Sequence, residues 1–306
     1  MPPLCADVLA SLLTAIGFSL SVIFAARSAR ILGGATANFA RLTVAAVLLA
    51  VWAHGFGRGL SGGGLWWFFL SGVIGFGLGD MALFGALERI GPRLSILLTQ
   101  CLAAPIAALA EWGWLGTTLH TREIACAGVI LGGVGLALAP DHGWEGDRRT
   151  FWLGALLGLG SALGQALGAV VSRKANLIAA LSGAPLDGGT AAYQRILGGV
   201  LVTALAFCLV KKMRPAPGEL DAAKWRRAWP FVIANALAGP ALGVACYQWA
   251  LRTTATGLVL ALVATAPLLT MLLTWLIDGT RPTRRASLGS VLAVAGAAGL
   301  KYISTS

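Results

Sequence analysis

Three ionisable side chains fall inside long apolar runs: Arg41 in "FARLTVAAVLLAV", Asp80 in "GFGLGDMALFGAL" and Arg195 in "YQRILGGVLVTAL". An ion held in hydrocarbon costs at least about 2.5 to 3.5 kcal/mol on insertion scales, so each of the three needs a partner or a task. Arg41 stands about seven residues into its run and Asp80 about seven residues before the end of the next, which at about 1.5 Å of rise per residue puts both roughly 10 Å from the same membrane face. The two runs are antiparallel neighbours across one short loop, so the charges can meet. Two readings of the pair stand: Asp80 is the structural counter-ion of Arg41, or it is a carboxylate whose protonation couples to a conformational cycle.

Arg195 answers Arg41 in the second half of the chain, but Val244 stands where Asp80 would be repeated. A guanidinium without that partner can bind a carboxylate through paired hydrogen bonds, or its long stem can carry the charge to the interface. Neutral polar residues widen the candidate site. Asn38 sits one turn before Arg41. Gln248 lies one turn after Val244, Gln165 shares a helix face with Ser161 and Ser172, and Thr14, Ser21 and Ser28 form a similar stripe near the start. Tyr193 and Tyr247 can supply amphipathic walls. Each of these also fits simple interhelical hydrogen bonding. Pro105, Pro240 and Pro267 lie within apolar runs, where the missing backbone donor can kink a helix; interrupted helices at matching positions mark midplane sites in carriers.

The elements that must hold these groups are membrane helices. Hydrophobic residues make up 57% of the 306 and charged residues only 11%, with a mean hydropathy of +0.80. A soluble domain would carry about 25% charged residues, so the bilayer must be the solvent. Ten segments reach the length of a span: 6–26, 34–54, 64–87, 93–112, 121–139, 151–173, 187–210, 228–251, 255–277 and 285–303. Trp66, Trp67, Trp112, Trp114, Trp225 and Trp229 fall near their ends, where indole rings favour the headgroups. The five cysteines lack CxxC spacing and read as small core residues rather than a disulfide framework. The first run has no basic region before it and exceeds signal-peptide length, so it reads as a retained helix.

The net charge of +11 does not point to nucleic acid, because the basic residues sit at the ends of apolar runs. Fifteen of the 23 Lys and Arg lie on the face that carries the first, third, fifth, seventh and ninth connections; six lie on the other face and two inside the membrane. That excess places both termini outside the cell.

The chain repeats itself. "FARL" (39–42) matches "YQRI" (193–196), Gly75 and Gly79 match Gly239 and Gly243, and Ala86-Leu87 matches Ala250-Leu251. "PIAALAEWGWLGT" (105–117) then answers "PLLTMLLTWLIDGT" (267–280), and Gly128 with Gly135 answers Gly289 with Gly296. The division is 1–140 and 151–306, five spans each; an odd number of spans turns the second unit upside down relative to the first. Small-residue spacings, Gly160/Gly164/Gly168, Gly75/Gly79, Gly128/Gly132 and Gly239/Gly243, offer ridges for close helix packing.

This ordered set, repeated in both halves, resembles the drug/metabolite transporter superfamily and, within it, the ten-helix EamA-type bacterial exporters. The resemblance covers nearly the whole chain. It implies an all-α bundle of two inverted five-helix repeats around a central cavity, exporting amino acids or related small metabolites across the bacterial inner membrane by alternating access. No cofactor and no metal are expected; the partners are the cargo and the lipid bilayer, and the oligomeric state stays open, with a monomer plausible. Relatives commonly carry an acid after the fourth span where this chain has Thr117 and Thr280, so no role for that acid is carried over. Such relatives resemble the orientation opposite to the charge count, with both termini in the cytoplasm.

A membrane-embedded enzyme is the competing class, yet His54, His120 and His142 fall at span ends or in loops without metal-ligand spacing or a paired nucleophile. A channel would want a charged ring at a filter. A non-transporting scaffold differs from a carrier only in showing no flux.

Overall fold

The computed structural model describes residues 3–139, 147–213, 222–278 and 283–305, and these form helices with no strand among them. In chain order they are α1 (Pro3–Leu32), α2 (Gly34–Gly55), α3 (Leu65–Gly91), α4 (Leu94–Leu115), α5 (Thr121–Leu138), α6 (Arg148–Leu181), α7 (Gly188–Met213), α8 (Ala222–Thr253), α9 (Thr256–Val263 continued by Ala266–Asp278) and α10 (Arg284–Thr305). Among the described residues, nine of the ten are long and apolar enough to cross a bilayer; α10 packs along α5. His142 and Thr280 lie outside the described residues. The junctions at 33 and 91–93 and the C-terminal ends of α5, α7 and α9 share one face, called here the basic face for the excess of Lys and Arg counted in the sequence.

Local chemistry sets the boundaries. Gly33 at φ 83° and Gly91 at φ 74° occupy the positive-φ region that glycine enters without a Cβ clash, so α1 turns into α2, and α3 into α4, with almost no loop. Asp147 caps α6 by accepting from the Thr150 amide at 2.9 Å; hydrogen bonds from Thr150 hold its carboxyl below the usual range. At α5 the Glu123 carboxylate reaches back to the His120 amide at 2.8 Å, which satisfies an orphan donor. The α6 helix runs to Leu181 rather than stopping at 173, so Arg173 is a helical residue and not a loop charge.

Two stretches leave the α-helical pattern: Val73–Gly79 in α3 and Leu237–Gly243 in α8 are π-helical. They occupy matching positions of the two sequence repeats. Such widened turns concentrate at functional sites. Pro240 lies in the second of them. The prolines of the fourth and ninth spans behave differently from each other: the helix runs unbroken through Pro105, whereas α9 is interrupted at Ala264 and Thr265 and restarts at Ala266, directly before Pro267. A proline at the start of a helix leaves no needed donor missing, so the matched pair makes one break and not two.

Helix packing repeats the internal match. Gly164 of α6 lies so close to α3 that a Cβ would stand 2.5 Å from the Gly79 Cα, and Gly168 approaches Gly75 in the same way. In the corresponding crossing a Cβ on Gly17 of α1 would lie 2.6 Å from the Ala238 oxygen of α8, and Ser21 meets Gly239. The α5–α10 pair closes through Gly133, whose Cβ would lie 2.5 Å from the Gly289 oxygen. Small residues permit these approaches where no hydrophobic effect drives helices together. Not every GxxxG is used: Gly128 and Gly132 face nothing within 4 Å, and Gly160 meets only the Ala82 Cβ at 3.6 Å. Gly164→Leu is therefore expected to destabilise the fold by about 3 kcal/mol or more through forced separation of α3 and α6, while Gly128→Leu leaves thermal unfolding in detergent near the wild-type value. Of the cysteines, Cys101, Cys126 and Cys246 are partly buried free thiols and Cys208 is exposed, so Cys208 is not a core residue.

Candidate substrate and ion-pair site

The polar residues singled out by sequence divide between an open cavity and a buried cluster, which meet at one aromatic ring. The cavity, about 560 Å³, lies between α2, α3 and α7 toward the basic face. Asn38, Asp80, Glu88 and Thr203 give it polar walls, and Phe76 and Phe207 give it apolar ones. Its size is in the range that encloses a small ligand.

Asp80 is the first residue after the π-helical turn of α3, and its Oδ2 lies 3.8 Å from Nη2 of Arg41. Arg41 also donates from Nε to Oδ1 of Asn38 at 2.7 Å. Asn38 thus fixes the guanidinium while the carboxylate remains loosely held; the Asp80 side chain keeps 27% of its surface exposed. Glu88 lies two turns beyond Asp80 on the same helix face and is exposed to the cavity. Sequence reading passed over it because it falls at a span end; its spacing of eight from Asp80 was the available signal.

Behind this cavity Arg195 is 6% exposed. Its guanidinium carbon stands 5.1 Å from the Phe76 ring centroid and 5.3 Å from that of Tyr247, a sandwich in which the ring quadrupoles offset part of the charge's desolvation. Nη1 donates to the Ser172 Oγ at 3.5 Å, and Nε has no hydrogen-bond partner. Room for the charge comes from Gly75, where a Cβ would stand 2.7 Å from Nη2. Ser172 also receives Gln248 Nε2 at 3.0 Å and shares a 2.7 Å hydrogen bond with Ser71, while Gln248 is fully buried with its Oε1 unpartnered. Orphaned buried polar atoms are rare. Here one belongs to Arg195 and another to Gln248, and both residues donate to the same Ser172 hydroxyl.

The remaining expected residues lie elsewhere. Gln165 donates to Gln100 of α4 at 3.2 Å. Tyr193, two residues before Arg195, points to the other side of α7 and packs edge-on to His54, within the α2–α7 core; it does not share a wall with Tyr247. Gln194 anchors the α2–α3 connection by donating to the Gly59 and Ser61 carbonyls at 3.0 and 3.1 Å. Asp187, just before α7, accepts from Trp52 and Thr190; burial pushes its carboxyl up, but these bonds outweigh it and leave the group below the ordinary carboxylate range.

A second ionised group lies at the opposite face, where sequence reading placed only loop charges. Arg173 is 9% exposed and forms an ion pair through Nε with Oε1 of Glu111, itself 1% exposed.

Helices of this length beside a cavity with a carboxylate on its wall, with charges paired inside the bilayer, fit a multi-pass membrane transporter of small molecules. The model of the EamA-like transporter family matches the chain twice, over residues 6–139 and 152–302, and the chain belongs to that family, within the drug/metabolite transporter superfamily. A solved structure described only as the crystal structure of a protein superposes with a TM-score of 0.68 over 96% of this chain and 97% of its own, at 21% identity; this shows the shared fold. No curated protein matches the chain.

Proposed function

We propose that this transporter exports amino acids across the bacterial inner membrane by alternating access, with residues 1–140 and 151–306 acting as two inverted five-helix units. The observation that carries the reading is the cavity open toward the basic face, with Asp80, the partner of Arg41, on its wall and Arg195, whose Nε lacks a partner, behind Phe76. Arg195 takes the cargo carboxylate, assisted by Gln248 and Tyr247. Asp80 faces the ammonium group and, with Arg41 held by Asn38, links cargo entry to the ion pair. The charge excess on the basic face supports a cytoplasmic position for that face, which would load the cavity from inside the cell and suit export.

The test is efflux from proteoliposomes loaded with a panel of radiolabelled amino acids beside their amide and decarboxylated analogues. Saturable efflux that favours cargo with both charged groups supports the reading. Folded protein that moves none of the amino acids overturns it.

A further inference from the structure

We propose that Glu111, Arg173 and Asp7 form a one-sided latch that holds the opposite face shut and makes the basic-face-open conformation the resting state. The proposal rests on the alternating-access reading above.

The latch joins parts of the chain that must separate for the opposite face to open. Arg173 of α6 pairs with Glu111 of α4 and donates from Nη1 to the carbonyls of Leu251 at 3.2 Å and Thr254 at 2.6 Å, at the end of α8. Glu111 also accepts, through Oε2, from the Thr256 amide at 2.5 Å, so one carboxylate caps the start of α9. Asp7 of α1 accepts from the Thr253 and Thr254 hydroxyls. All three ionic residues are less than a tenth exposed. Glu111 and Asp7 belong to the first sequence repeat, whereas Arg173 and the α8–α9 joint belong to the second. Each of these side-chain contacts of Glu111 and Asp7 therefore spans the two units.

The internal repeat shows why the latch is one-sided. The register that matches Gly17 with Gly164 and Asp80 with Val244 sends Arg173 to Ala26 and Asp7 to Gly154; in the fourth span Glu111 falls on Leu273 when Pro105 is set on Pro267, or on Thr274 when Thr117 is set on Thr280. Thr253 and Thr254 fall on Arg89 and Ile90. At the basic face Gly154 indeed packs against Ile90 and the Cβ of Arg89, so the contact is repeated without its carboxylate. No counterpart of the ion pair exists at these positions. A contact present in one state and absent from its mirror image biases the equilibrium between them. The cavity lined by Asp80 lies toward the face without the latch.

The experiment measures the opposite face directly, by electron spin–spin distances in full-length protein in liposomes. Its five cysteines are replaced and labels are placed at Thr118, just past α4, and Leu181, at the end of α6; both sites are exposed. Glu111→Gln keeps the shape and the acceptor for Thr256 but removes the charge. It is expected to raise the population with the longer label separation roughly tenfold. Asp7→Asn retains an oxygen for Thr253 and Thr254 and is a milder second variant, expected to shift the population in the same direction. If cargo changes the distance distribution but neither variant does, the latch is overturned while alternating access stands. A single unchanging distance under every condition, cargo included, overturns both.

Discussion

Arg195→Gln is expected to lower kcat/KM for carboxylate-bearing cargo roughly a hundredfold, a loss of about 3 kcal/mol, because a charge-assisted, two-point hydrogen bond is replaced by a neutral amide. The guanidinium is held between Phe76 and Tyr247 with Nε unpartnered, so the desolvated donor is already positioned before cargo arrives. Efflux of an amide analogue should change little between wild type and variant. Equal losses for the acid and its amide would assign Arg195 to packing alone. The comparison needs a folded variant; Gln fills the same slot against Gly75 with less volume, so the α3–α7 contact survives.

The second large effect belongs to the Arg41–Asp80 pair. Asp80→Asn leaves a mostly buried guanidinium facing a neutral amide, and removing one member of a buried pair costs about 3 to 5 kcal/mol. The separation of 3.8 Å and the residual exposure of both side chains reduce this to about 2 kcal/mol. The single variant should therefore unfold at lower temperature in detergent. The Arg41→Leu/Asp80→Leu double variant should recover most of the loss, since the uncompensated charge is gone. Transport separates the two roles left open by sequence. A double variant that folds and keeps the wild-type pH dependence makes the pair structural, and one that folds but loses that dependence makes Asp80 a coupling carboxylate.

How much of this was legible in the sequence depended on the kind of signal. The helical spans and the meeting of Arg41 with Asp80 follow from hydropathy and helical rise, which are local or periodic signals. The π-helical turns at Val73–Gly79 and Leu237–Gly243 were not legible, although their glycines were flagged, because hydropathy does not distinguish a π from an α turn. Tyr193 reads in sequence as an amphipathic wall of the site; it stands two residues from Arg195, which along a helix turns a side chain by roughly 200° and sends it into the α2–α7 core. Arg173, one of the six basic residues on the opposite face, reads in sequence as an interface charge because a basic doublet at the end of an apolar run usually marks one. The correcting signal was Glu111, an opposite charge at similar depth near the same face. Likewise the glycine ridges were over-read at Gly128 and Gly132, since spacing shows that two glycines share a helix face but not what that face meets.

The most direct test of the central claim is counterflow in proteoliposomes, with labelled amino acid outside and an excess of the same unlabelled amino acid inside. A cavity exposed to one face at a time predicts transient, saturable accumulation of label above its equilibrium level, driven by the unlabelled cargo alone. Label that enters in simple proportion to its concentration, with no overshoot at any internal load, would contradict the account.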